Sequence, residues 1–175
     1  MSNSLHFDSS SNILELNGVP VSLHCHHYNC GLLKSIEEIA NIDGHAVIVE
    51  IAAQEFSEKF KQFLEQGTEV LSPDKALQEA SELYRLMGFG RLDLSNLTAR
   101  GGVAYSDSSY FSVSWLAKYG RRNTPVCYFT CGFIAGILAA IYNVPPDTYE
   151  VNETECIILR HDQCKFIVSE KSDGN

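Results

Sequence analysis

The sequence predicts an α+β fold with helices packed on an antiparallel sheet. Three observations carry that expectation. Segments with helical apolar spacing are followed by short runs of strand character, Asn17-Gly18 sits between two such runs as a tight-hairpin signal, and the C-terminal third closes on two strand-like segments joined by a short polar loop. At 175 residues and 45% hydrophobic, the chain is the size of one domain with a substantial core. Residues 1–12, polar and serine-rich, read as a flexible N-terminal segment, and 13–170 as a single domain.

Taken in order, Ile13 to Leu16 and Val19 to Leu23 form the first two strands, because Asn and Gly both tolerate the positive φ of the turn between them. From Asn29 as N-cap, Leu32, Leu33, Ile36, Ile39 and Ala40 recur at helical spacing. Asp43 to Gln66 continues that spacing to Gly67, although its first residues, rich in Val and Ile, also suit a strand. Ser72-Pro73-Asp74 starts a helix that runs to Met87 and stops at Gly88: a capping hydroxyl, a proline at the first helical position, and an acid at the positive end of the dipole. Leu92 to Leu97 and Gly102 to Tyr105 read as paired strands. Phe111, Val113 and Trp115 alternate with Tyr110, Ser112 and Ser114, the pattern of a third strand. A helix from about Val126 to Tyr142 sets Gly132, Gly136 and Ala140 on one face as a notch for a neighbouring element, and Pro145-Pro146 ends it. Thr148 to Leu159 and Lys165 to Val168 form a terminal hairpin, followed by a polar tail from Lys171.

Charge and motif content exclude several functions. A net charge of −9, with 13 basic residues against 22 acidic, leaves no basic stripe for tracking phosphates, so no direct nucleic-acid partner is expected. Arg121-Arg122 reads as solvated turn charge, and Glu37-Glu38 as the outer face of a helix. Met1 to Asn12 carries neither a charged n-region nor an apolar h-region, which points to the cytoplasm and so to free thiols. Val126 to Val144 is apolar but holds Cys, Thr, Asn and Gly without flanking anchors on both sides, and reads as a buried helix and not a membrane span. The sequence has no phosphate-binding glycine loop, nucleophile elbow or His-Glu-x-x-His motif, and names no catalytic residue.

Three constellations remain. Cys127 and Cys131, Glu153-Thr154-Glu155-Cys156, and Cys164 supply soft thiolates and a carboxylate, the donor types of a closed tetrahedral zinc site. His24-Cys25-His26-His27 with Cys30 is dense in near-neutral ligand chemistry, fit for a polar ligand head, a haem or a second metal, or for a pocket wall or dimer surface. The aromatic residues Tyr105, Tyr110, Phe111, Trp115, Tyr119, Phe129 and Phe133 suit either a core or the lining of a cavity between sheet and helices.

Cys127, Gly132-Phe133-Ile134-Ala135-Gly136, Glu153-Thr154-Glu155-Cys156 and Cys164-Lys165-Phe166, in that order, resemble the signature of the 4-vinyl-reductase domain family. Ser109-Tyr110 through Tyr119-Gly120 also match, so the resemblance runs roughly from Gly88 to Val168. That family includes archaeal hydrocarbon-binding proteins, proteins of bacteriochlorophyll synthesis and the sensor domains of phenol-responsive activators. The resemblance implies kinship with the TRAPP and NO-signalling ligand-binding fold, frequent dimers, and a structural zinc on Cys127, Glu153, Cys156 and Cys164 stapling the C-terminal hairpin. It places Tyr110 where the phenol sensors hold their ligand with Trp, a departure that puts phenol itself in doubt. Cys131, one helical turn from Cys127, is a competing thiolate. The expectation is a cytoplasmic, homodimeric small-molecule sensor for an apolar or aromatic ligand held by His24, His26, Tyr110 and Trp115, acting through a signalling protein partner. The alternatives are an enzyme or enzyme accessory in tetrapyrrole-type metabolism and an assembly adaptor.

Overall fold

Local capping chemistry sets where most of the helices begin. The structure, a computed structural model, describes residues 5–16, 18–67 and 70–171. Helix α1 spans His26–Glu37, and α2 spans Gly44–Gln66, where the Asp43 carboxylate accepts the Ala46 amide at 3.1 Å. Helix α3, Pro73–Leu86, begins at Ser72, whose hydroxyl accepts the Lys75 amide. Helix α4 is Tyr110–Tyr119, capped by Ser109 and stopped at Gly120 with φ of +77°. Helix α5 is Tyr128–Tyr142, closed by left-handed Asn143 just before Pro145-Pro146.

The strands form two antiparallel sheets. In the first, β1 (Leu5–Asp8), β2 (Ile13–Leu16) and β3 (Val19–Val21) pair in chain order. The second contains β4 (Gly90–Asp93), β5 (Leu97–Thr98), β6 (Gly101–Ser109), β7 (Tyr149–Glu155) and β8 (Cys164–Glu170) in the order β4-β6-β8-β7, with β5 also pairing β6. Strand β8 shows the period of two plainly: Cys164, Phe166 and Val168 are buried, whereas Ile167 is 42% exposed. Its register pairs Ser106 with Cys164 on one side and Glu153 with Phe166 on the other.

Helix α5 is the centre of the core. Phe133, Ile134, Ile137 and Leu138 are fully buried, each worth about 1.5–3 kcal/mol of apolar transfer. Helix α2 crosses α5 at the glycine notch: a Cβ on Gly132 would collide with the Val49 carbonyl, and one on Gly136 with the Ala53 carbonyl. The one deep polar pair on this helix, Thr130 with the Tyr84 hydroxyl, is satisfied at 2.7 Å.

Several expectations are corrected. Phe111, Val113 and Trp115 lie on a helix and not on a strand: Ser112 and Ser114 are buried while Val113 is 58% exposed, the reverse of what alternation predicts. The Ser109 cap overrode the period-two pattern. The expected strand Leu92 to Leu97 is broken after Asp93, whose carboxylate accepts the Ser95 amide at 2.9 Å and turns the chain. Helix α1 starts at His26, before Asn29, and Asp43 to Gln66 is helical from its first turn. Within the N-terminal segment, Leu5–Asp8 pairs with β2; residues 1–4, Asn17 of the hairpin signal and 172–175 of the tail lie outside the described residues. Among the described residues no helix is long and apolar enough to cross a membrane.

Candidate metal centre and adjoining cleft

Three chain segments converge on one buried point. Cys127 immediately precedes α5, Glu153 sits on β7, Cys156 follows that strand, and Cys164 opens β8. Their donor atoms all lie within 4.8 Å of one another, close enough to hold a metal ion. Cys164 Sγ is 3.8 Å from both Cys127 Sγ and Cys156 Sγ. A tetrahedron with metal to sulfur bonds of about 2.3 Å has edges of about 3.8 Å, so the thiols already stand at ligand spacing. Among the described residues this is the one place where three or more such donors gather.

The carboxylate fits the same reading. Glu153 Oε2 accepts the Cys127 amide at 2.9 Å, while Glu153 Oε1 is buried with no hydrogen-bond partner. A cation at the sulfurs would satisfy it. Burial, reinforced by charge on Cys156, pushes the Glu153 carboxyl up to about 8. Burial likewise raises the Cys127 thiol, whereas hydrogen bonds from Cys127 and Cys164 hold Cys156 far below the usual thiol range. The metal-free centre therefore stores protons that a bound ion would expel.

Sequence reasoning missed the serines around this centre. Ser112 Oγ lies 3.4, 3.3 and 3.5 Å from the sulfurs of Cys127, Cys156 and Cys164, and Ser109 Oγ lies 3.2 Å from Cys127 Sγ. Such hydroxyls orient thiolate ligands and temper their charge. A Ser-x-x-Ser pair opening a helix was the available signal, masked by the apolar alternation that suggests a strand. Cys131 follows Cys127 by one turn of α5 and is 3% exposed, but it stands outside the converging four.

Beside the centre lies a cleft of about 890 Å³ between α2, α5 and β7. Val49, Ala53, Ala135 and Val151 supply apolar lining, and Cys131 and Glu153 form the part nearest the metal centre. Acidic Asp43, Glu50, Asp147 and Glu150 also border it, with His45 and Lys171. Its Tyr128 ring stacks on His45 at 4.0 Å between centroids. Behind that wall, Arg122 Nη1 donates to Glu37 Oε1 at 2.8 Å and Oε2 at 3.0 Å, and Nη2 donates to the Tyr128 hydroxyl at 3.2 Å. The Glu37 and Arg122 side chains are only 12% and 19% exposed. Where the sequence suggests two solvated charges, the fold buries them against each other.

The four residues expected to hold a ligand are not brought into one pocket, and none lines the cleft. His24 is exposed and stacks on Tyr28; His26 is half-buried and stacks on His27. Tyr110 accepts from Asn29 Nδ2 at 3.0 Å and joins the aromatic cluster of Phe89 and Phe111. Trp115 is buried under the Arg122 guanidinium, 4.6 Å from its ring centre.

Residues 110–170, which contain all four converging donors, match the model of the 4-vinyl-reductase domain. The chain carries a 4-vinyl-reductase domain. This bears out the resemblance read from the sequence. The chain with this 4-vinyl-reductase domain is 28% identical over 113 residues to the uncharacterized protein MJ1460 of Methanocaldococcus jannaschii. That match covers 63% of this chain and 65% of the relative, so the chain spans just under two thirds of the relative's length. Likeness in fold extends beyond the matched segment. The crystal structure of the phenol-responsive sensory domain of the transcription activator PoxR, with phenol, superposes with a TM-score of 0.75 at 18% identity, covering 95% of this chain and 84% of that one. A vinyl-4-reductase family protein from Methanocaldococcus jannaschii gives a TM-score of 0.58 at 18% identity, covering 87% and 85%.

Proposed function

We propose that this chain, with its 4-vinyl-reductase domain, is a small-molecule sensor of the cytoplasm, stapled by a structural zinc on Cys127, Glu153, Cys156 and Cys164. The observation that carries the reading is the tetrahedral spacing of the thiols with an orphaned Glu153 oxygen aimed at the same point. Three thiolates and one carboxylate suit a borderline-soft ion with no open position for chemistry, which makes the site structural. The likeness in fold to a phenol-sensing domain supports a ligand-binding role.

The ligand's place in this reading is the 890 Å³ cleft, a volume suited to a compact apolar or aromatic molecule. Occupancy is felt at Tyr128, passes to Arg122, and reaches Trp115 on α4 and Glu37 on α1. Tyr110 ties the same two helices together through Asn29. A homodimer then transmits the change to a protein partner. Leu5, Phe7, Leu14, Leu16, Val19 and Val21 share one face of the N-terminal sheet, while His6, Glu15 and Pro20 occupy the other. On the apolar face Leu5 and Phe7 are each 55% exposed and Val19 is 44% exposed. With Leu23 these residues offer roughly 450 Å² of apolar surface, over half of the ~800 Å² each partner contributes to a stable interface. His24 and His26 follow directly and border the same docking face. An assembly adaptor would share that face; the cleft favours the sensor.

Native mass spectrometry with zinc analysis tests this reading. The expected result is a dimer with one zinc per chain that retains a small molecule or takes up 1-naphthol. Ala46→Trp, at a position lining the cleft, removes uptake and keeps the zinc; Cys156→Ser loses the zinc and melts lower. A wild-type protein free of metal would overturn the zinc assignment, and uptake unaffected by Ala46→Trp would overturn the cleft.

A further inference from the structure

The centre contains one more thiol than a tetrahedral ion needs, and its placement is not that of a spare core cysteine. Cys131 lies one turn along α5 from Cys127, its amide bonded to the Cys127 carbonyl at 3.1 Å, so both side chains project from the same helix face. Its sulfur accepts a hydrogen bond from the backbone of Glu153. Cys131 and Glu153 both line the cleft, whereas Cys127, Cys156 and Cys164 do not. Besides any bound ion, a single hydrogen bond, from the Cys127 amide, holds the Glu153 carboxylate. The two groups thus share one boundary between the metal centre and the cleft, and the carboxylate is the less firmly held.

Resting on the zinc reading above, we infer that Cys131 is a reserve ligand that replaces Glu153 when the carboxylate turns into the cleft. In the exchange the bond from metal to Glu153 Oε1 breaks and one from metal to Cys131 Sγ forms. The thiol proton passes to the departing carboxylate, so the cluster's charge is unchanged and no oxidant or reductant is needed. The donor set goes from three sulfurs and one oxygen to four sulfurs, and both suit zinc. A cleft occupant that engages Glu153 therefore alters the centre without releasing the ion, and the hairpin stays tied to α5.

The test compares full-length wild type, Cys131→Ser, Glu153→Ala and the double variant, each loaded with zinc and separately with cobalt(II). Zinc affinity is read by chelator competition, and sulfur ligation by the thiolate to cobalt charge-transfer band. Wild type and Cys131→Ser should bind alike. Glu153→Ala should hold zinc within about tenfold of wild type while its charge-transfer intensity rises by about a third, as three thiolates become four. The double variant should bind more than about tenfold more weakly than Glu153→Ala and lose the added intensity. Equal affinities for Glu153→Ala and the double variant, or an unchanged band in Glu153→Ala, would overturn the inference while leaving the zinc reading intact. A wild type that binds neither metal would instead remove the reading on which it rests. Glu153→Gln, which preserves side-chain volume, gives the same comparison if Glu153→Ala does not fold.

Discussion

Stripping the metal and raising the pH should destabilise this domain, against the usual behaviour of carboxylates, and Glu153 sets the size of the effect. Its carboxyl is pushed from an ordinary 4.5 up to about 8 by burial and by the charge on Cys156. Between those values the folded metal-free protein holds a proton that the unfolded chain has released. The contribution is full below 4.5 and is lost as pH rises through 8. A separation of that width is worth on the order of 4 kcal/mol. For a chain of this length that is about 8–16 °C in melting temperature. Asp8 and Asp107, held low by Ser11 and Ser10 and by Arg91 respectively, act in the opposite sense but at more acidic pH, outside this window. Calorimetry of the chelator-treated protein at about pH 5 and about pH 8 reads the shift, and Glu153→Gln should flatten it. Metal-loaded protein should reverse it, because ligation requires deprotonated donors and strengthens as pH rises. Parallel pH profiles for metal-free wild type and Glu153→Gln would refute the reasoning.

Arg122→Ala should cost about 3 kcal/mol, because it strands the mostly buried Glu37 carboxylate, and adding Glu37→Gln should cost less than the sum of the two. A denaturant double-mutant cycle measures the coupling. Phe7→Ser should convert the dimer to monomer in light scattering at unchanged zinc content, since Phe7 lies on the open apolar face of the first sheet.

The metal centre was legible because zinc donors are a chemical signature that survives linear reading: Cys127, Glu153, Cys156 and Cys164 were recognisable by type and spacing. Helix α3 was legible for a similar reason, since Ser72-Pro73-Asp74 encodes its own start. Helix α4 was not. Its serines face sulfurs and its Val113 faces outward, so hydrophobicity no longer reports burial there. The Glu37–Arg122 pair joins residues 85 positions apart, and charge alone cannot announce such a partner. The cleft was equally hidden, because α2, the start of α5 and β7 form its wall only after the glycine notch has set how closely the helices approach. The ligand residues expected from the sequence were chosen for chemical type, and the fold distributes them over α1, α4 and the segment leading into α1.

The strand order of the larger sheet puts β7 on its margin, with β8 as its sole ladder neighbour. The ribbon that contributes Glu153 is therefore fastened along one seam and at the ion, and is bare along its other rim. Losing the ion leaves a strip that can peel away and present unpaired amides and carbonyls to another chain. Metal starvation of this protein should consequently be seen first as turbidity, before any loss of helix.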